Sequence, residues 1–152
     1  MFSKQEATQL RKEFWTALGQ YLSPIPSSEG EKINWINYKT GVKGIQFKMD
    51  ADQKKATIGI FITQQDIQKH KELLSQLQGL KDIFHTTLKE QWTWLPQAYE
   101  EGKLISKVFT EKTGVNILKK EDWPGLISFF KPRIIAVDEF WNTVKYGIEG
   151  WQ

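Results

Sequence analysis

The stretch "IQFKMDADQKKATIGIFIT", residues 45–63, decides the fold class because apolar side chains fall on every second position in each of its two halves. This period of two predicts two strands, residues 45–50 and 56–63, joined by the polar turn "ADQKK". One face of this hairpin should therefore pack on the core. The positions on that face are Ile45, Phe47, Met49, Ala56, Ile58, Ile60 and Ile62.

The remaining strands are predicted from composition and turn residues. Residues 33–39 are rich in β-branched and aromatic side chains, which predicts a first strand. The segments "WTWLPQAY" (92–99) and "KLISKVFTE" (103–111) predict a second hairpin, in which Pro96 indicates an edge strand or a bulge. The short apolar segment "VNIL" (115–118) is a candidate for one more strand.

Two helices are predicted before the second hairpin. An S-x-x-E capping box at the start of the chain predicts a helix over residues 4–22, which "SPIPSS" ends. A second helix, capped by Thr63 or Asp66, keeps one apolar face as far as Leu88. Gly79 is the weak point of this second helix.

A third helix follows Asp122, and Pro132 inside its apolar stripe predicts a kink or a break near residues 129–132. The predicted order is thus α-β-β-β-α-β-β-(β)-α. This order is typical of an α+β fold with a largely antiparallel sheet of about five strands, packed by helices that include a long kinked C-terminal one. We expect residues 1–152 to form a single globular domain.

Composition excludes several classes of protein and site. The chain has seven tryptophans, no cysteine and a net charge of +3, so disulfides, thiolate nucleophiles and Cys-ligated zinc are excluded. The small basic excess does not imply indiscriminate attraction to nucleic acid or membranes. The first residues resemble neither a signal peptide nor an anchor, and we expect a soluble, cytoplasmic protein without a membrane partner.

The motifs of common enzymes are missing from the sequence. The two histidines, His70 and His85, lie fifteen residues apart on one predicted helix, about 22 Å along its axis, and cannot share a metal. Such lone helical histidines are typical of surface or boundary positions. Because HExxH, G-x-S-x-G, Walker-A and G-x-G-x-x-G motifs are also missing, we expect no cofactor and favour a non-enzymatic protein.

One acidic segment leaves an alternative open. The segment "MDADQKK" contains Asp50, Asp52 and Lys54, and the predicted α-β-β-β-α-β order resembles the core of PD-(D/E)xK restriction-endonuclease-like nucleases. In that family an acid near the second strand and an acid-x-Lys on the third hold a divalent metal. The third predicted strand, residues 56–63, contains neither an acid nor a lysine, so the resemblance implies a divergent or degenerate metal-dependent nuclease. A solvated hairpin turn explains the same residues.

Both ends of the chain carry a second resemblance, in "FSKQEATQLRKEFWTALGQYLSPIPSSEGEKINWINYKTG" and "EDWPGLISFFKPRIIAVDEFW". They are similar to a family of small bacterial domains of unknown function, common in Bacteroidetes and sometimes fused to nuclease-associated proteins. That family has no established catalytic residues. The resemblance therefore implies the fold order and an association with nucleic acid, and assigns no site.

Candidate binding residues come from the faces of the predicted strands. In the first strand Trp35, Asn37 and Lys39 share one face, and they form an outward row if Ile36 and Tyr38 point into the core. Aromatic and lysine side chains on the outer face of the sheet suit nucleic-acid binding and equally suit an ordinary amphipathic sheet. The second hairpin can add Lys107 and Phe109, or Trp92 and Trp94, to this face. The candidate set is Trp35, Asn37, Lys39, Lys43, Lys48, Phe61, Trp92 and Trp94.

Two functional hypotheses follow from the sequence. The first is a non-enzymatic binding or interaction domain whose partner is nucleic acid, another protein or a second copy of the chain. The second is a divergent nuclease that uses Asp50 and Asp52 as metal ligands.

Overall fold

The computed structural model describes residues 2–152 and confirms the α+β class. The elements in chain order are α1 (Lys4–Leu22), β1 (Ile45–Ala51), β2 (Lys55–Ile62), α2 (Ile67–Gln78), α3 (Lys81–Leu88), β3 (Thr93–Glu100), β4 (Lys103–Thr113) and α4 (Trp123–Val144). Short 3-10 turns, Lys120–Asp122 and Lys145–Gly147, flank α4. Within these residues no helix is both long enough and apolar enough to cross a bilayer.

The four strands form one antiparallel sheet in the order β1-β2-β4-β3. The register pairs Phe47 with Ile60, Ile60 with Val108, and Val108 with Trp94, so these side chains share the inward face. Both predicted hairpins are therefore confirmed. The described part of the chain holds four strands, where about five were predicted.

Strand β3 lies at one edge of the sheet, and its register with β4 shifts between Leu95 and Ala98. This shift is a bulge around Pro96 and Gln97. The φ angle of Gln97, 42°, lies in the left-handed region. Proline has no backbone N–H to give to a ladder, so an edge strand with a bulge accommodates it. Both structures that Pro96 indicated are present.

Residues 33–39 do not form the predicted first strand. They belong to a long segment, residues 23–44, that contains turns and bends but neither helix nor strand. The Asn34 side chain accepts a hydrogen bond from the Asn37 N–H, which makes a local turn. The indole of Trp35 donates to the carbonyl of Ile25, 2.9 Å away. These side-chain contacts override the β propensity of the segment.

Residues 115–118 also fail to form a strand. Asn116 is fixed by its own neighbours, since its side chain accepts from the Leu118 N–H and its backbone N–H donates to Asp122. Two backbone hydrogen bonds, from the Val115 N–H to the Lys54 carbonyl and from the Ile117 N–H to the Asp52 carbonyl, link the segment to the turn between β1 and β2. The observed order of helices and strands is therefore α-β-β-α-α-β-β-α.

The predicted second helix is two helices, α2 and α3, that separate at Gly79 and Leu80. Asp66 caps α2 by accepting from the Lys69 N–H, so of the two candidate caps Asp66 is the one used. Gly79 lies at the end of α2, which is where a residue of low helix propensity costs least.

Helix α4 continues through Pro132, so of the predicted kink or break near residues 129–132 the break does not occur. Pro132 is exposed, while Phe130 and Ile134 on either side of it are fully buried. Packing of these neighbours offsets the loss of one backbone donor.

The inward faces of the strands join all four helices in one hydrophobic cluster. Phe14 and Leu18 of α1, Phe84 of α3 and Trp141 of α4 are among its largest buried side chains. Phe61 and Ile105 are also buried but lie outside this cluster. They are on the other face of the sheet, which the helices leave uncovered.

Candidate functional site

The uncovered side of the sheet, here called the outer sheet face, is a shallow basin of about 820 Å³. It carries the side chains that the register turns away from the helices. For example, Gln46 pairs with Phe61, and Phe61 with Lys107. The residues of this face that line the basin include Lys48, Asp50, Lys55, Thr57, Phe61, Ile105, Lys107 and Glu111.

The floor of the basin is apolar. Phe61 is 9% exposed and Ile105 is 6% exposed, although no helix covers them. Gly59 makes this packing possible, because a Cβ there would lie 2.7 Å from the Val108 carbonyl oxygen and 2.8 Å from Phe109 Cβ. The absence of a side chain at Gly59 therefore lets β4 and Phe109 approach β2 closely.

Two lysines cover the aromatic rings of the floor. The Nζ of Lys48 lies 4.8 Å from the ring centre of Phe61, and the Nζ of Lys107 lies 5.5 Å from the same ring. Lys107 is also 4.6 Å from the ring centre of Phe109. Their aliphatic stems shield the rings from water while their ammonium groups make cation–π contacts.

The rim of the basin carries both signs of charge. Lys107 pairs with Glu100 and Lys55 pairs with Glu111, each at 2.9 Å. The hydrogen bond from Lys55 lowers the pKa of Glu111, and the same contact raises the pKa of Lys55. The charged residues lining the basin are Lys48, Lys55, Lys103, Lys107, Asp50, Glu100, Glu101 and Glu111. Four basic and four acidic groups leave the face with no net charge.

The tryptophans of the second hairpin are not on the outer sheet face. Trp92 is buried and Trp94 is half-buried, and the rings of both contact Phe84 of α3 edge-on. The indole of Trp92 donates to Glu90, 2.8 Å away. Of the two predicted pairs, the structure therefore places Lys107 and Phe109 beside Lys48 and Phe61, and places Trp92 and Trp94 on the helix side.

A second cleft, here called the loop–helix cleft, lies between residues 23–44 and α4 and has a volume of about 370 Å³. Asn37 and Lys39 are exposed and line it. Trp35 does not join them, because it is only 3% exposed and holds the loop against Ile25. The predicted outward row of Trp35, Asn37 and Lys39 is therefore wrong for the tryptophan.

The most deeply buried side chain that lines this cleft is Asp138 of α4, which is 1% exposed. Its Oδ2 accepts from the Ser28 N–H at 2.8 Å, and its Oδ1 accepts from the Tyr38 hydroxyl at 2.5 Å and from Asn142 Nδ2 at 3.1 Å. Burial and the Asp138 carboxylate raise the pKa of Tyr38. The hydroxyl therefore stays protonated and remains a donor.

A second acid that lines the cleft, Glu29, already has partners. Lys145 Nζ lies 2.7 Å from Glu29 Oε1, and the Tyr146 hydroxyl donates to the second oxygen of Glu29. Both hydrogen bonds lower the pKa of Glu29. The Glu29–Lys145 pair is therefore neutral overall.

The remaining candidates lie apart from both sites. Lys43 lines a separate depression of about 210 Å³ that also includes Gln64. Asp52 lies in the turn after β1, where its Oδ1 accepts from the N–H groups of Lys54 and Lys55 and its pKa is lowered by them. Across residues 2–152 no three acidic or histidine side chains come together as a metal site would require. With two strands before α2, the geometry does not favour the nuclease alternative.

A buried Ser–His pair was not anticipated from the sequence. His70 of α2 is fully buried, so the expected surface or boundary position is wrong for it. Its Nε2 lies 2.7 Å from Ser106 Oγ, and its Nδ1 lies 2.8 Å from the carbonyl oxygen of Gln64. Because a carbonyl can only accept, Nδ1 carries the proton and Nε2 accepts from Ser106. Ser106 also accepts from the N–H of Gln97 in the bulge, 2.9 Å away.

Comparisons with known proteins identify one family. The profile described as "Domain of unknown function (DUF4268)" matches residues 10–145. Neither the curated proteins nor the solved structures contain a significant match.

Proposed function

The chain belongs to the family of domains of unknown function DUF4268, and we propose that it is a non-enzymatic binding domain whose outer sheet face holds a polypeptide partner. Membership of a family of unknown function was predicted and is confirmed. The bacterial distribution of that family and its association with nucleases stay predictions.

The uncovered apolar floor carries the proposal. A sheet face that packs against nothing ordinarily turns polar side chains into water, but here Phe61 and Ile105 line the basin and are buried, and the half-buried Phe109 shares Lys107 with Phe61. Exposed or thinly covered apolar patches inside a polar rim are typical of protein interfaces, whose centres are enriched in aromatic side chains. The lysine stems over these rings can swing aside because they are long and flexible.

The charges of the rim favour a polypeptide over a nucleic acid. A nucleic-acid site presents an excess of Lys and Arg to phosphates, whereas the basin has as many acids as lysines. Lys55 and Lys107 are already paired with carboxylates, which leaves fewer free cations for phosphates. A protein surface with charges of both signs complements this rim, and a second copy of the chain is one such surface.

Site-specific photo-crosslinking tests the proposal. Phe109 is replaced by benzoylphenylalanine in cells that make the protein, and the same replacement at Tyr21, exposed on α1, is the control. We expect Phe109, on the outer sheet face beside Lys107, to give a defined polypeptide adduct that the α1 position does not give. Adducts with nucleic acid alone, or no adduct above the control, would overturn the proposal.

Binding by the purified pair then tests the site itself. We expect Lys48→Glu to weaken the complex with the crosslinked partner by about tenfold, because it removes the unpaired cation over Phe61. Lys119→Glu changes an exposed lysine outside the basin and is the matched control. Equal affinity of both variants would place the partner elsewhere.

A further inference from the structure

The charge of Asp138 has no cationic partner. Among residues 2–152 the ion pairs involve other carboxylates, and three neutral donors contact Asp138. A carboxylate that is 1% exposed loses its hydration, and neutral donors replace this only in part. The floor of the loop–helix cleft is therefore a site of uncompensated negative charge.

Asp138 also retains room for another hydrogen bond. Its Oδ1 accepts two hydrogen bonds, while its Oδ2 accepts one, from the Ser28 N–H. A carboxylate has about four acceptor positions, so one position on Oδ2 stays open. Asp138 lines the cleft, and a donor that enters the cleft can approach it.

The mouth of the cleft has the opposite charge. Lys32 and Lys39 are exposed there, and neither is part of an ion pair within residues 2–152. Glu31 also lines the mouth, while Glu29 is neutralised by Lys145. Two free lysines against one free acid leave the mouth with a net charge of +1. Asn37 and Asn34 add amide donors beside the lysines.

We propose that the loop–helix cleft binds a small zwitterion of the free amino acid type, with its ammonium group on Asp138 and its carboxylate toward Lys39. The ammonium group supplies the cation that Asp138 lacks, and the carboxylate meets the basic mouth. A volume of about 370 Å³ lies within the range of pockets that hold small molecules. This site shares no lining residue with the outer sheet face. A test of amino acid binding here is therefore independent of a test of the proposed function.

The hydrogen bonds of Asp138 also hold the loop, but that role does not account for the cleft. Ser28, Tyr38 and Asn142 donate to Asp138 and so fasten the loop to α4. The cleft of about 370 Å³ lies beside these hydrogen bonds and is not needed for them.

The test is an amide-detected NMR titration of the whole chain with glycine, L-serine, L-glutamate and L-lysine. Ethylammonium chloride and sodium acetate, which each carry one of the two charges, are the comparison probes. We expect at least one amino acid to shift the amides of Ser28 and Asn37 saturably, with a Kd below about 1 mM. Ethylammonium and acetate should bind at least about tenfold more weakly.

Variants separate the two ends of the ligand. Lys39→Glu alters an exposed side chain without hydrogen bonds, and it should weaken binding of the amino acid by about tenfold without weakening binding of ethylammonium. Lys119→Glu, outside the cleft, should change neither. Asp138→Asn should abolish amino acid binding if the variant folds. If it does not fold, the Lys39→Glu variant alone decides the test.

Three results would overturn the proposal. One is the absence of saturable shifts with every amino acid at about 10 mM. Another is unchanged amino acid affinity in Lys39→Glu. The third is retained binding in a folded Asp138→Asn variant.

Discussion

Tyr38 and Asp138 lie one hundred residues apart in the sequence and are joined by a hydrogen bond of 2.5 Å from the tyrosine hydroxyl to Oδ1. The bond connects residues 23–44, which have no helix or strand, to the middle of α4. It requires a protonated phenol, because the carboxylate can only accept. The order of the loop is therefore linked to the ionisation of one side chain.

We expect Tyr38 to make the free energy of unfolding decrease as the pH rises into the alkaline range. Burial and Asp138 raise its pKa in the folded state, whereas in the unfolded chain a tyrosine loses its proton near pH 10. The folded state thus binds more protons above pH 10, so the stability from Tyr38 is complete below that pH and falls as the pH rises further. Tyr38→Phe should lack this component and should be destabilised by about 1–3 kcal/mol at pH 7, because Asp138 loses a donor.

Urea unfolding of the two proteins between pH 7 and pH 11 measures this prediction. The difference between wild type and Tyr38→Phe should narrow above pH 10. Tyr21→Phe, at an exposed position on α1, should behave like wild type at each pH. Parallel curves for wild type and Tyr38→Phe would contradict the prediction.

The Ser106–His70 pair should be important for stability. Ser106→Ala removes the donor to the buried His70 Nε2 and the acceptor for the Gln97 N–H in the bulge, so both groups lose their partner. We expect a loss of about 1–3 kcal/mol in the free energy of unfolding, measured with urea. Ser128→Ala, exposed on α4, should stay within about 0.5 kcal/mol of wild type. Equal effects of the two substitutions would show that the buried network contributes little.

A side chain at Gly59 should disrupt the sheet. Alanine there would place its Cβ 2.7 Å from the Val108 carbonyl oxygen and 2.8 Å from Phe109 Cβ, and both atoms belong to β4. We expect Gly59→Ala to lose about 1–3 kcal/mol in thermal or urea unfolding, through strain between β2 and β4.

Gly125→Ala is the control for this substitution, since no atom lies within 4 Å of the added Cβ and the residue is helical. It should leave stability unchanged or raise it by up to about 1 kcal/mol, because alanine favours the helix. A Gly59→Ala variant as stable as Gly125→Ala would mean that the two strands separate at little cost.

We expect nucleic acids to bind the chain weakly or not at all. The outer sheet face has no net charge, so few counterions would be released from phosphates. Anisotropy titrations with single- and double-stranded DNA and RNA at two salt concentrations should give no salt-dependent Kd below about 100 μM. Tighter, salt-dependent binding that Lys48→Glu removes would instead support the nucleic-acid hypothesis.

The sheet could be predicted from the sequence where a local pattern decided the structure. Residues 45–63 alternate apolar and polar side chains, and this period correctly assigned Lys48 and Phe61 to the outer face. Pro96 correctly indicated an edge strand and a bulge. Proline lacks a backbone N–H whatever its distant neighbours are, so this effect can be predicted from the sequence alone.

Structure that depends on distant partners could not be predicted. Residues 33–39 have strand composition, but the contact of Trp35 with Ile25 and that of Tyr38 with Asp138 decide their conformation. Asp138 itself gave a faint signal, as an acid inside the apolar stripe of a helix. A buried acid of this kind indicates a polar network, although its partners cannot be identified from helical periodicity.

The dependence of residues 23–44 on α4 has a consequence for how the chain folds as it is made. Asp138, Trp141, Asn142 and Lys145 hold this segment through side-chain bonds that span about a hundred residues. On the ribosome the segment emerges long before the helix that orders it, and such long-range contacts form late. We therefore expect only local contacts, such as that of Trp35 with Ile25, to order it through most of synthesis, and we expect it to be open to proteases until α4 docks.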